Sequence, residues 1–393
     1  MPSTLFTDIE TLVTNNPEIG VGILGELTKQ AIVVESGSIS WIGDAKHAPA
    51  ADESVSLAGK TVLPGFVDSH AHMVFAGDRS KEFSARMAGT PYSAGGIMTT
   101  VKATREASDE ALDENLANLA IEMYRSGITT FETKSGYGLT VEDELRSLKI
   151  ATQHTEDVTF LGAHVVPEEY HGRADQYVEL VCKEMIQACA PYAKWIDVFC
   201  DEGAFDYDQA KVILQTGIAN DLFPRIHANQ ISVIGAVKLA VELDCASCDH
   251  LSYLTHDEVD LLANSQTVAT LLPGAEFSTR GSYPDARRLF DAGVTVALAT
   301  DCNPGSSFTT SMPFCIALAV SQMHFTVEQA IWAATMGGAK ALRRDDVGQL
   351  KVGGSADFVV LDAPSYVHLA YRPGVDLVSE TVIAGTSIYR SNK

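Results

Sequence analysis

The sequence predicts an α/β protein: a TIM-like (β/α)8 barrel with a small β-sandwich contributed by both chain termini. Three observations lead there. Apolar, strand-like runs alternate with amphipathic helical segments through the middle of the chain, the pattern of a parallel sheet with crossover helices. Several of those runs end in His or Asp, and strand C-termini are where such barrels carry their chemistry. Finally, the 393 residues exceed a bare barrel of ~250 by about 140, and the surplus lies at two β-rich ends.

The first 60 residues read as short strands separated by turns: Ile19 to Leu24, Ala31 to Val34, Ser38 to Gly43, then Thr61 to Leu63. The last 45 do likewise, over Gly354 to Asp362 and Leu377 to Thr386. Residues 1–63 and 345–393 are therefore expected to share one composite β domain, with the barrel over 64–344. Within the barrel, Asp109 to Arg125 is a helix, since Leu112, Leu116, Leu119, Ile121 and Met123 lie near a 3.6 period and Gly127 stands at a C-terminal stop. Ile128 to Thr133 follows as a strand, Phe160 to His164 as another, then a helix over Gln176 to Cys189 and a strand over Trp195 to Cys200.

Gly65-Phe66-Val67-Asp68-Ser69-His70-Ala71-His72 is an apolar strand running into histidines at i and i+2. Alternate side chains of a strand share a face, so both imidazoles can converge on one cation. Downstream, Phe223 to His227 ends in histidine, Cys245 to His250 ends in another, and Val294 to Asp301 is a buried-type strand ending in aspartate. Together, His70, His72, His227 and Asp301 point to a shared metal site.

Composition excludes several classes. Hydrophobic content of 46% and charged content of 20% describe a globular protein with an ample core. A formal charge of −23 argues against nucleic acid or an anionic membrane as partner, because phosphate binding needs a positive field. Any anion must then meet a local cation, which draws attention to Arg79. Seven scattered cysteines fit a reducing compartment, and the Cys245-x-x-Cys248 pair, with no second pair, reads as packing. With no basic, apolar leader and no long apolar run, a cytoplasmic protein is expected, and a homodimer is the default for its size.

These residues resemble the amidohydrolase superfamily: a strand-one His-x-His, histidines ending strands five and six, and an aspartate ending strand eight. Over nearly the whole chain the sequence resembles, within it, the imidazolonepropionases, which open the ring of 4-imidazolone-5-propanoate to N-formimidoyl-L-glutamate in histidine degradation. The markers are Asp68 to His72 followed by Phe75-Ala76-Gly77-Asp78-Arg79, then Lys134-Ser135-Gly136-Tyr137-Gly138-Leu139, Phe160 to His164, and Ala299-Thr300-Asp301-Cys302-Asn303-Pro304-Gly305-Ser306.

The resemblance implies that His70, His72, His227 and Asp301 hold one divalent metal, zinc or iron. Two-metal relatives use a carboxylated lysine at the end of strand four, where this chain has Phe160 to His164, so a single ion is favoured and Lys134 reads as structural. Such an ion brings the pKa of water from ~15.7 toward ~7. Asp301 then shuttles a proton, and His250 orients the water or the developing oxyanion. Arg79 is implied to bind the substrate's propionate, with Tyr92, Tyr137 and His164 as polar partners, and Asn303, Gly305 and Ser306 offer further donors.

One departure stands out: many relatives carry His-Ala-Asp-Glu after strand five, and this chain has His227-Ala228-Asn229-Gln230. Gln230 cannot act as a base, although it can bond the imidazolone ring. The competing readings are a deaminase or other cyclic-amide hydrolase on the same scaffold, and a non-catalytic relative.

Overall fold

In the computed structural model, which describes residues 3–89 and 96–392, the chain divides into two compact units: Met1–Asp68 with Ile121–Thr130 and Thr310–Lys393, and Ser69–Ala120 with Phe131–Thr309.

Eight parallel strands make a nearly closed barrel. In chain order they are Phe66–Asp68, Ile128–Lys134, Asp157–Ala163, Trp195–Cys200, Ile226–Ala228, Ser247–His250, Val268–Leu271 and Val296–Leu298, each hydrogen-bonded to the next. Phe223–Pro224 pairs beside the fourth. Every residue of the third and fourth strands is buried, as expected when helices cover one face and the barrel interior the other. Past the strand ends, Ala71 bridges Cys302; His72 N donates to Cys302 O at 2.9 Å and Asp301 N to His70 O at 3.0 Å. The chain after strand one is thereby tied to the chain after strand eight.

The helix Asp109–Arg125 lies where its periodicity placed it, with acidic residues in the first turn, Arg125 in the last and Gly127 at φ 91° beyond it. The Gln176 to Cys189 stretch is less regular: helix Ala174–Leu180, a π-turn over Val181–Met185, then Ile186–Cys189. One sequence-based placement in the barrel is corrected. Phe160 to Ala163 belongs to the third barrel strand; the fourth ends at Cys200, followed by Asp201, and has no lysine there either. Strand seven, Val268–Leu271, had no distinguishing pattern of its own.

The strands of both termini join one eight-stranded sheet, in the order Thr386–Arg390, Val378–Ile383, Phe358–Leu361, Thr61–Pro64, Thr4–Val13, Glu26–Glu35, Ser38–Asp44. Thr4–Val13 forks, pairing Glu53–Ser56 along its first half and Thr61–Pro64 along its second, with Asp8 at φ 59° between them. Phe6, Ile9, Leu12, Ile32, Val62, Phe358 and Val360 form the core of this sheet. Ile19 to Leu24 is not a strand: Gly22 (φ 68°) and Gly25 (φ 53°) turn the chain, leaving Val21 a single bridge to Glu26.

Candidate active site and family

The first barrel strand ends at Asp68, and His70 and His72 follow in the tied segment just described. Their alternation holds, bringing the two Nε2 atoms within 3.2 Å of each other, and His227 Nε2 lies 3.3 Å from that of His72. Asp301 Oδ1 faces the same point, 3.6 Å from His70 Nε2 and 3.7 Å from His72 Nε2. His250 completes the cluster, its ring centroid 5.3 Å from that of His227. Strict strand alternation would not have put it there. His227 pairs in register with Asp249, so His250 belongs to the opposite parity; its φ of 81° breaks the pleat and turns the ring inward. Asp301 is also left-handed, at φ 52°. Non-glycine residues held there at a strand exit are a feature of functional sites.

Behind the cluster stands a layer of buried ionic groups that sequence reasoning missed. His70 Nδ1 lies 2.7 Å from Asp249 Oδ2, and His227 Nδ1 lies 3.1 Å from Asp197 Oδ1. A carboxylate has no proton to give, so each imidazole donates from Nδ1 and turns a bare Nε2 lone pair inward. Asp197 also contacts Lys134 Nζ at 3.0 Å, and Lys134 bonds Glu132 at 2.9 Å. Lys134 is thus tied between two carboxylates, consistent with its structural reading. Burial works against the charge on Asp197, but His227 and Lys134 hold its pKa well below the usual carboxylate range. Arg225 backs Asp249 at 3.5 Å and donates to Ser69 O at 2.6 Å. Polar residues inside the apolar strands Trp195–Cys200 and Ser247–His250 were the available signal.

Facing lone pairs from His70 and His227, the Asp301 carboxyl group beside them, and a His72 whose Nδ1 has no hydrogen-bond partner among the described residues make a pocket rich in electron pairs. Burial, then neighbouring positive charge, pushes His70, His72 and His250 well below the ordinary histidine range, keeping them neutral. Burial pushes Asp301 up, against hydrogen bonds from Asn303 and Ser306. The donor set of three imidazoles and the Asp301 carboxyl group fits a divalent cation.

His72, His227, His250 and Asp301 line one pocket with Arg79, Tyr137, His164, Gln230, Asn303 and Ser306. Tyr92 lies outside the described residues. His164 stacks on His72 at 5.2 Å, bonds Gly136 O at 3.0 Å, and is held to about 3 by burial and then His227. Asn303 shapes its loop, its Oδ1 accepting from the backbone N–H groups of Gly305 and Ser306 at 2.8 Å each. Ser306 Oγ lies 3.3 Å from Asp301 Oδ2, opposite the oxygen that faces the histidines. Gly305 leaves room for Arg79: an added Cβ would sit 2.2 Å from Nη1. Asp201, at the end of strand four, accepts the N–H groups of Gln230, Ile231 and Ser232 at 2.8 to 2.9 Å and so fixes the loop carrying Gln230.

Residues 61–388 match the model of the amidohydrolase family. The chain is 60% identical to the imidazolonepropionase of Mycolicibacterium smegmatis over 393 residues, covering 100% of this chain and 99% of that one. It is 58% identical to the Nocardia farcinica imidazolonepropionase, with both chains fully covered.

The chain belongs to the imidazolonepropionase family of amidohydrolases.

A Streptomyces coelicolor imidazolonepropionase, 61% identical over 96% of this chain and 97% of its own, agrees with that membership. Among solved structures, an atrazine chlorohydrolase from Arthrobacter aurescens superposes with a TM-score of 0.75 at 16% identity, covering 98% of this chain and 95% of that one. A guanine deaminase from E. coli gives 0.69 at 17% identity, covering 99% of each chain. At such identities these two share the fold, as the sequence predicted; the imidazolonepropionases share the sequence from end to end. Among the described residues no helix is long and apolar enough to cross a membrane.

Proposed function

We propose that the chain hydrolyses 4-imidazolone-5-propanoate to N-formimidoyl-L-glutamate, with His70, His72, His227 and Asp301 holding one divalent ion, zinc or iron. The observation that carries this reading is the pocket in which three converging imidazoles, Asp301 and Arg79 stand together, beside family membership at 58–61% identity.

A divalent ion held by His70, His72, His227 and Asp301 would supply a more acidic water and a Lewis acid for the ring carbonyl. Asp301 takes the proton that the water loses as its oxygen bonds the carbonyl carbon. As the ring C–N bond breaks, Asp301 returns that proton to the departing nitrogen, so no nitrogen anion forms. His250, turned inward by its backbone, donates to the carbonyl oxygen as that atom gains charge. Arg79 binds the propionate. His164, kept neutral, and Tyr137 flank the substrate. Asn303 and Ser306 border the substrate beside Asp301, and the N–H groups of Gly305 and Ser306, held by Asn303 Oδ1, keep that loop in place. Gln230 hydrogen-bonds the ring and cannot serve as base.

The same reading places the chain in the cytoplasm as a homodimer, with 1–63 and 345–393 as the terminal domain and 64–344 as the barrel. Incubation in 18O-labelled water tests the chemistry: one label in the new carboxyl group of N-formimidoyl-glutamate is expected. Release of ammonia without ring opening would replace this reading with that of a deaminase.

A further inference from the structure

Arg79, Glu82 and Arg86 stand at i, i+3 and i+7 on the helix Ser80–Met87 and its N-cap, one stripe of a helix. Arg79 Nε donates to Glu82 Oε2 at 2.8 Å and Nη2 to Oε1 at 2.6 Å, a two-pronged pair along one edge of the guanidinium. Arg86 Nη2 reaches the same Oε1 at 3.0 Å. Arg86 also anchors the group to backbone, Nη2 to Gly305 O at 2.9 Å and Nη1 to Ser278 O at 3.1 Å. Of the three side chains only Arg79 lines the pocket. Its guanidinium is slotted between two glycines: a Cβ at Gly96 would come 2.5 Å from Nη2, and one at Gly305 2.2 Å from Nη1.

We propose that Glu82 and Arg86 are positioning residues that set selectivity for a substrate carboxylate. Glu82 occupies the Nε–Nη2 edge, so the fork cannot swivel and the Nη1–Nη2 edge is the one offered to the pocket. Arg86 restores the charge that Glu82 cancels. Arg79 with Glu82 alone is neutral and, in a chain of net charge −23, would hold no Coulomb attraction for an anion; with Arg86 the trio carries one positive charge. Burial raises the pKa of Glu82, but hydrogen bonds and charge from Arg79 and Arg86 outweigh it and keep the group an anion at neutral pH. Orientation and net charge are thus supplied by two residues that do not reach the substrate. The proposal rests on the reading that Arg79 receives the carboxylate.

The test uses the metal-loaded enzyme with two compounds, the propanoate substrate and its carboxamide analogue, and three variants: Glu82→Gln, Arg86→Met and Arg79→Met. Glu82→Gln adds one positive charge to the trio but frees the fork, and the lost alignment is expected to outweigh that gain; for it and for Arg86→Met we expect KM for the propanoate to rise about tenfold with kcat within about twofold, and KM for the carboxamide to stay put. Arg86→Lys, which keeps the charge, should recover part of the loss. An unchanged or lowered KM for the propanoate in both variants overturns the proposal. So does an equal rise for both compounds, the mark of general loosening. If Arg86→Met does not fold, the Glu82→Gln and Arg86→Lys results decide by the same criteria. Arg79→Met separates the two layers: if it raises the propanoate KM while Glu82→Gln and Arg86→Met do not, only this proposal fails; if it too leaves the KM unmoved, the carboxylate clamp itself is wrong.

Discussion

His70 and Asp249 share a 2.7 Å hydrogen bond with both side chains fully buried, and that bond fixes which nitrogen of His70 faces the cluster. Asp249→Asn keeps the shape but replaces an acceptor-only group with one that can also donate. A conserved shape without the charge should lower metal affinity by about tenfold to a hundredfold, the usual range for losing an outer partner of a metal-bound histidine. Chelator competition measures it without reference to turnover. Affinity equal to wild type would show that Asp249 does not orient the ligand.

Removing a ligand should do more. His70→Ala or His72→Ala is expected to lose most of the metal and nearly all activity while the fold survives, because the remaining donors hold a divalent ion in weaker geometry. Full metal occupancy with unchanged turnover in either variant would contradict the site assignment.

Arg79→Met separates an imidazolone hydrolase from a deaminase on the same scaffold. A buried charge-assisted pair with a carboxylate is worth ~1.5 to 3 kcal/mol, so KM for the propanoate should rise roughly tenfold to a hundredfold. A nucleobase deaminase has no general need of such a clamp, and undiminished activity in the variant would favour that rival.

Glu276 makes a prediction about stability. It lies 3% exposed in the helix Pro273–Thr279, bonded to Ser252 Oγ at 2.6 Å, and burial raises its pKa from 4.5 to about 7. A raised folded-state value means that its contribution is fully present below pH 4.5 and is lost as pH rises through about 7. Integrated over that window the loss is about 3 kcal/mol at most. In metal-free protein, Glu276→Gln should flatten the fall of Tm between these pH values. Parallel Tm profiles for variant and wild type would show that Glu276 does not titrate there.

Much of the site was legible because its chemistry follows strand position. The His70-x-His72 spacing, and His227 and Asp301 beside strand ends, needed only the barrel's geometry to bring them together. His250 was legible by residue type but not by parity; its left-handed backbone, invisible in sequence, carries the ring inward. Asp249 and Asp197 were missed because a charged residue within an apolar strand reads as a break in pattern until its partner across the barrel is known. In the terminal sheet, the Gly-Val-Gly-Ile-Leu run imitates strand alternation, and only its positive φ angles reveal a turn. The helix stripe Arg79, Glu82, Arg86 was present in the sequence, but Arg79 alone drew notice as a cation.

Proton traffic is tested at two positions. Asp301→Asn should abolish kcat even in protein that retains metal, since an amide cannot accept the water's proton. Gln230→Glu should change the rate little. A rise of about tenfold in Gln230→Glu, with Asp301→Asn active in that background, would move the base to position 230.

The most direct test of the account is the loss of the ring chromophore of 4-imidazolone-5-propanoate, followed with the same preparation metal-loaded, stripped by chelator and reloaded with zinc or iron(II). Turnover is expected when the protein is loaded, none when it is stripped, and recovery on reloading. Absorbance that stays constant with loaded protein, or that falls equally fast after stripping, would contradict it.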